Sequence, residues 1–216
     1  MRNILTILFS LLYLFVPAEP LSVRNCSDDT PGWGESLGTV SFASDQTWTI
    51  GSQTWSDAVQ ATNCNKTFFY GGLYENFASD CRSNPDYPGD LFSWCAVARF
   101  KNSLCPAPWR VPTRRDFIDL DKALGGSGKN RRNSCLRDKY LNDWGGIYGG
   151  LYVSSGILDN FGGMQGQGWA ASYWSQSEGA GTVYGVFLGF ETCNRARVRP
   201  REQFPKFLGL SLRCVK

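Results

Sequence analysis

Apolar positions in this chain fall into short runs cut by glycine-rich and polar stretches, and the spacing within each run carries a structural expectation. The first run, Ile4 to Val16, follows Arg2 and leads into Val16-Pro17-Ala18, which places small residues where a signal peptidase cuts. Residues 1–18 therefore read as a secretory signal peptide, because Pro17, Glu19 and Pro20 end the run short of the about 20 apolar residues that a spanning helix needs. No cysteine stands where lipoprotein processing would leave one, since Cys26 follows Val23-Arg24-Asn25 well past the run. The mature chain is expected to carry no lipid and no transmembrane span. Residues 19–37, rich in Ser, Asp, Pro and Gly, form an irregular lead-in.

Beyond the lead-in, alternation of apolar and polar residues predicts short strands at Thr39-Val40-Ser41-Phe42 and Trp48-Thr49-Ile50, with Asp45-Gln46 as turn material. Trp55 to Ala61 spaces its apolar residues like a short helix with Ser56 as cap. Thr67 to Asp90 carries Gly71-Gly72, Asn84-Pro85 and Pro88-Gly89 and reads as a long loop. Leu91 to Lys101 has apolar residues at 91, 92, 94, 95, 97 and 98 with no breaker, which predicts a buried helix. The strongest local signal lies at Thr113 to Leu124. Thr113 can cap, Asp116 holds the reciprocal capping-box position, and Phe117, Leu120, Ala123 and Leu124 form one stripe before Gly125-Gly126 stops the helix. Gly125 to Gly168 holds 12 glycines, with alternation only around Ile147 to Ile157, so loops with short strands are expected there. Ser172 to Ser175, Val183 to Phe190 and Leu208 to Val215 predict strands of a central sheet. Neither a linker nor a repeat interrupts the pattern, so a single domain is expected.

Composition narrows the chemistry. The sequence has no histidine, which removes Ser-His-Asp and Cys-His sites, imidazole metal ligands and an imidazole acid or base near neutral pH. Its eight cysteines include no C-x-x-C pair, so in an exported chain they read as structural disulfides rather than zinc or thioredoxin-type sites. The formal charge of +3 is unevenly placed, with 6 basic and 10 acidic residues in 1–108 against 16 and 9 in 109–216. Arg195, Arg197, Arg199 and Arg201 alternate with Asn194, Ala196, Val198 and Pro200, and in an extended segment they would line one face about 6 to 7 Å apart. Guanidinium suits carboxylate and phosphate, so the row points to an acidic protein, lipid A phosphates or an anionic glycan, with internal pairing to Asp and Glu as the structural alternative. Nucleic acid is not expected outside the cytoplasm.

Two further groups of residues bear on binding. Trp144, Tyr148, Tyr152, Trp169 and Tyr173 lie within or beside the glycine-rich segment, where rings suit stacking on sugars or burial in a protein interface. Asp138, Asn142, Asp143, Asp159 and Asn160 supply oxygens but no Glu-Pro-Asn, Gln-Pro-Asp or Trp-Asn-Asp triplet, so helix caps and turns account for them and no metal or cofactor is expected. Asp119 and Asp121 point to different sides of their helix and are expected to solvate a face.

Three stretches, in this order, carry a family likeness: GDLFSWCAVA at 89–98, LCPAPWRVPTRRDFIDL at 104–120, and SYWSQS at 172–177 followed by GLSLRCVK at 209–216. Together they resemble the Fibrobacter succinogenes major paralogous domain of Bacteroidota and Fibrobacterota, whose pattern runs G-x-L-Y-x-W, C-P-x-G-W-R-V-P-T, Y-W-S and a closing S-V-R-C-V. The likeness covers residues 38–216. It departs at Pro108, where the family usually has Gly, and in the extra cysteines Cys26, Cys95, Cys135 and Cys193. The resemblance implies an α+β, C-type-lectin-like fold, distantly similar to formylglycine-generating enzymes: two main helices beside a twisted antiparallel sheet, loop-rich, disulfide-stapled, with the chain ends paired. It also implies a Cys105–Cys214 bridge, a local Cys64–Cys81 bridge, and core positions for Trp109 and Trp174. An unpaired Cys26 in the lead-in would be available for an intermolecular disulfide.

No closely placed pair of reactive cysteines marks oxidase chemistry, and no enzyme is expected. The expected function is a non-enzymatic interaction module of the cell envelope, periplasmic, outer-membrane associated or extracellular, in a Bacteroidota-type bacterium. Its expected partner is an envelope protein, in an outer-membrane assembly such as the type IX secretion machinery. The alternative from another class is calcium-independent binding of a glycan or an anionic lipid headgroup, with residual enzyme activity a third. Arg195, Arg197, Arg199, Arg201, Trp144, Tyr148 and Trp169 are the expected binding residues.

Overall fold

The computed structural model describes residues 37–64, 81–84, 86–132, 138–153, 163–180, 184–192 and 197–216. The expected signal peptide, Cys26, Cys135, Asp159, Asn160, Cys193 and Arg195 lie outside the described residues, as does the side chain of Arg197. The fold is mixed α+β, with sheets that are mostly antiparallel and four helical segments among the described residues.

The first sheet is built on one long strand. Strands β1 (Val40–Phe42), β2 (Thr47–Ile50) and β3 (Gln53–Ala61) follow one another, and both β1 and β2 pair antiparallel with β3. The expected helix at Trp55 to Ala61 is therefore β3. Trp55, Ala58 and Val59 have helical spacing, but Ser56 and Ala61 are buried too, so the segment is covered on both faces and the period carries no information. What makes it a strand is the supply of partners from far along the chain. Strand β12 (Arg213–Val215) pairs with it through Arg213↔Ala58 and Val215↔Trp55, and the Cys214 N–H donates to Ser56 Oγ at 2.9 Å.

Strands β4 (Cys81–Ser83) and β5 (Asp90–Phe92) form a two-stranded ribbon. The run expected to be helical from Leu91 is broken by Ser93, whose side chain accepts from the Ala96 N–H at 3.1 Å and starts helix α1 (Trp94–Arg99). A short α2 (Lys101–Leu104) follows directly. Helix α3 (Arg114–Ala123) begins at the Thr113 cap with the reciprocal Asp116 contact, as its sequence predicts. After β6 (Arg131–Arg132) comes a π-helical turn, Lys139–Asp143.

Strands β7 (Leu151–Val153) and β8 (Gly163–Gln165) pair within the glycine-rich segment. Strands β9 (Ala170–Glu178), β10 (Tyr184–Glu191) and β11 (Arg197–Pro205) form the second large sheet, in the order β6-β11-β10-β9. Of the three runs expected in one sheet, only the first two share it. The third contributes β12 to the first sheet, and single bridges at Phe92↔Leu210 and Tyr173↔Ser211 connect it to its surroundings.

The β9–β11 sheet is covered on both sides. Ala171, Tyr173, Leu188, Phe190 and Val198 face a cluster with Trp55, Phe117, Leu120, Tyr140 and Trp144, while Trp174 and Phe187 belong to a cluster with Phe92, Trp94, Val97 and Leu212. Helix α1 packs on β9 and reaches β10 at Gly185, where a Cβ would run into the Trp94 ring. Trp94 Nε1 donates to the Ser175 carbonyl at 2.9 Å and Trp174 Nε1 to the Phe92 carbonyl at 2.7 Å, so both indoles are buried without an orphaned donor. Trp109, implied to be core, is only partly buried. It meets Phe42 edge-on and lies under the Lys216 ammonium at 4.4 Å.

Two disulfides join described residues, Cys64–Cys81 and Cys105–Cys214, the pairs that the resemblance implies. Cys95 is disulfide-bonded as well. Disulfides of this kind belong to an oxidising, exported environment. No helix among the described residues is long and apolar enough to cross a membrane.

Candidate functional site

A cavity of about 220 Å³ opens at one end of the β9–β11 sheet. Its construction follows from strand register. Ser172 pairs with Gly189, and Gly189 pairs with Arg199, so these three positions share one face of the sheet with Ala170 and Glu191. The Phe187 ring fills the space that a Cβ on Gly189 would take, and the Arg199 guanidinium reaches across β10 toward Glu191, its diagonal neighbour, with Nη2 and Oε1 3.7 Å apart. Phe187 and Phe204 continue the same face and stack at 4.1 Å, forming an aromatic floor. Leu151 from β7 and Gln165 from β8 form part of the opposite wall, with Trp169 beside them.

Trp169 reaches the cavity because a tight turn sets it just before β9. Its N–H donates to the Gly166 carbonyl at 3.1 Å, the Ala170 N–H donates to the same carbonyl at 2.7 Å, and Gly166 and Gly168 take the positive φ values that the turn requires. The Thr192 N–H donates to the Trp169 carbonyl at 2.9 Å, tying the turn to the end of β10. Trp169 remains half-buried at the rim.

Electrostatics at the rim differ from what the arginine row suggests. A bulge lies between the Gly189↔Arg199 and Phe187↔Glu202 pairs, where three residues of β11 span two of β10. The extra residue ends the alternation at Arg199, so Glu202 rather than Arg201 shares the Arg199 face. Glu202 Oε2 lies 3.6 Å from Arg199 Nε. Arg199 is thus flanked by two carboxylates, and the continuous row of cations expected on this strand is interrupted. The fork is only 22% exposed, with Glu191 at 14%.

A buried ion pair steadies this end of the sheet. β6 pairs with the start of β11 through Val198↔Arg131, and the Arg131 guanidinium donates to both Asp121 oxygens at 2.7 and 2.8 Å. Tyr140 Oη and the Gly128 N–H donate to the same carboxylate at 2.7 and 2.6 Å. Asp121, expected to solvate a helix face, is fully buried, because residues 126–131 fold back over the end of α3 and supply its donors. Burial pushes the Asp121 carboxyl up, but the hydrogen bonds from Arg131, Tyr140 and Gly128 outweigh it and hold the pKa below the ordinary value. Asp119 stays on the surface, paired with Arg115 at 2.8 Å.

The expected binding residues separate accordingly. Trp169 and Arg199, 30 positions apart in sequence, line one cavity. Tyr148 is half-buried and packs at 5.7 Å on Phe190, a lining residue, but is not itself among the described residues that line the cavity. Trp144 is 0% exposed, enclosed by Trp55, Tyr140, Tyr173 and Arg213, and is a core residue rather than a binding one. Tyr152 and Tyr173 are buried as well. Arg197 and Arg201 belong to β11, and Arg201 is not among the described residues that line the cavity. Glu191, Gln165 and Phe204 were not singled out in the sequence. Glu191 had one signal, a lone acid closing the apolar run Val186 to Phe190, whereas Gln165 and Phe204 had none.

Among the described residues no group of three or more His, Cys, Asp or Glu side chains is placed to hold a metal ion. Asp143 is engaged instead with Lys139 at 3.7 Å. Comparison of the chain with protein-family models, with curated proteins and with solved structures returns no match.

Proposed function

We propose that this chain is a non-enzymatic recognition module of the cell envelope, exported, C-type-lectin-like in architecture and related to the Fibrobacter succinogenes major paralogous domain. Its partner is an envelope protein, and it serves as an accessory subunit of an outer-membrane assembly, with type IX secretion as one setting. The observation that carries this reading is the convergence of Trp169 and Arg199 on one cavity. Trp and Arg are the residue types that dominate binding energy at protein interfaces, and they do so from desolvated pockets rimmed by polar groups. The cavity, below the roughly 300 to 1,000 Å³ of ligand pockets, is the size of a seat for a single anchoring group. Strands supply most of its lining, and the hydrogen-bonded turn at Gly166 sets Trp169 beside them.

Pull-down from solubilised envelopes under non-reducing conditions tests the proposal. The wild-type protein is expected to retain one stoichiometric protein, and Trp169→Ala and Arg199→Gln are expected to lose it. Retention on polysaccharide with no protein partner would establish the alternative, calcium-independent glycan binding, which the same ring and polar rim would also serve.

A further inference from the structure

We propose that the cavity seats one uncharged aromatic side chain with a hydrogen-bonding tip, of the tyrosine kind, contributed by the partner protein. The inference rests on the protein-recognition reading and names what that site reads. Three observations lead to it.

The first is charge. Among the described residues Arg199 faces two carboxylates, Glu191 at 3.7 Å and Glu202 at 3.6 Å, so its field is already answered and an anionic ligand would meet two acids beside one base. The second is geometry. Both separations exceed hydrogen-bond length, and the Arg199 guanidinium makes no hydrogen bond among the described residues, so it retains directional N–H donors that a neutral oxygen can use. Its flat face at the same time suits stacking on a ring. The third is lining. Phe187 and Phe204 supply the floor, Leu151 and Ala170 a wall, and Trp169 the rim, an aromatic surround that edge-to-face or offset packing with another ring would complete. An aliphatic side chain would fill the space without using the guanidinium. A charged side chain would oppose one member of the rim.

The test titrates N-acetyl-L-tyrosinamide into the folded exported protein and follows the Trp169 indole N–H by NMR. N-acetyl-L-leucinamide, the corresponding glutamate derivative and methyl glucoside are run beside it. The tyrosine probe is expected to bind in the range of about 1 mM, at least about threefold tighter than the leucine probe, with little change between low and high salt. Arg199→Met is expected to lose at least about threefold in affinity for tyrosinamide and nothing for leucinamide. Trp169→Ala, read from Phe204 resonances, guards against an Arg199 variant that misfolds, and it too is expected to weaken the tyrosine probe. Tighter binding of the glutamate or glucoside probe, or unaltered tyrosinamide binding in both variants, overturns the inference. Should tyrosinamide leave Trp169 unmoved while both variants still lose the envelope partner, this inference falls and the protein-recognition reading stands. Should tyrosinamide bind while both variants capture the partner as wild type does, the reading falls instead.

Discussion

The guanidinium of Arg213 lies 4.3 Å from the Trp144 ring centroid and donates through Nη1 to the carbonyl of that same residue at 2.5 Å. Trp48 covers it from another side, also at 4.3 Å, and Nε donates to the Ser56 carbonyl at 2.6 Å. Burial lowers the Arg213 pKa to about 10, so the fold carries a cation in its interior against a desolvation cost. Two aromatic faces and two carbonyls offset that cost. Gly145, at positive φ, makes the arrangement possible, since a Cβ there would run into the Trp48 indole.

From this sandwich, Arg213→Lys is expected to destabilise the protein by about 2 kcal/mol, through one lost hydrogen bond and the lost planar stacking. Arg213→Met should cost about 2 to 4 kcal/mol, because the Ser56 and Trp144 carbonyls would be left buried without donors. Urea unfolding at neutral pH measures both. A Met variant as stable as wild type would mean that the buried charge contributes nothing net.

Trp144 and Trp169 were equivalent candidates in the sequence and should respond in opposite ways to truncation. Trp144→Ala is expected to cost about 3 to 5 kcal/mol and to abolish secretion of folded protein. Trp169→Ala, at the cavity rim, should change stability by about 1 kcal/mol or less while weakening partner capture. Paired thermal melts and pull-downs of the two variants check this.

The Asp121 carboxylate links acid sensitivity to the second sheet. Its folded pKa lies below the unfolded value, so its contribution is present above about pH 4 and is lost as pH falls through the folded pKa. Asp121→Asn should cost about 3 kcal/mol at pH 7, leaving Arg131 without its partner, and the gap to wild type should narrow at acid pH. Asp116 is depressed in the same sense and persists in the variant, whereas Asp90, raised by burial, acts in the opposite sense. Urea midpoints across an acid pH series give the comparison. A gap that stays constant would assign the acid limb to other carboxylates.

The Cys105–Cys214 bridge spans 109 positions and fastens the end of α2 to β12. A loop of that length is worth about 4 to 5 kcal/mol in the chain-entropy model. Cys105→Ala is therefore expected to lower the melting temperature by more than about 10 °C or to prevent secretion. A melt within a couple of degrees of wild type would show that packing around β3 and β12 suffices.

Much of the local structure was legible. Thr113, Asp116 and the stripe through Phe117 and Leu120 specify α3, because a capping box and a one-sided apolar face are properties of neighbouring residues. Strands β1, β2, β9 and β10 were readable from apolar runs bounded by turn residues. Trp55 to Ala61 was not, since a strand buried on both faces loses the alternation that identifies it. Two of the cavity residues, Trp169 and Arg199, were visible, but their meeting was not, because a turn at Gly166 and the register of β9, β10 and β11 set it.

The sequence alone determined the capped helix, most of the strand runs, the absence of imidazole chemistry and the disulfide-rich character of the chain. Each depends on residue identity or on spacing within a few positions. Tertiary structure decided which tryptophan is core and which is rim, that Asp121 is buried, and that Glu202 rather than Arg201 stands beside Arg199. Those outcomes depend on strand register and on burial by segments far away in the chain. A shift of one residue in β11 moves a side chain to the other face of the sheet, and no composition or local period records that shift.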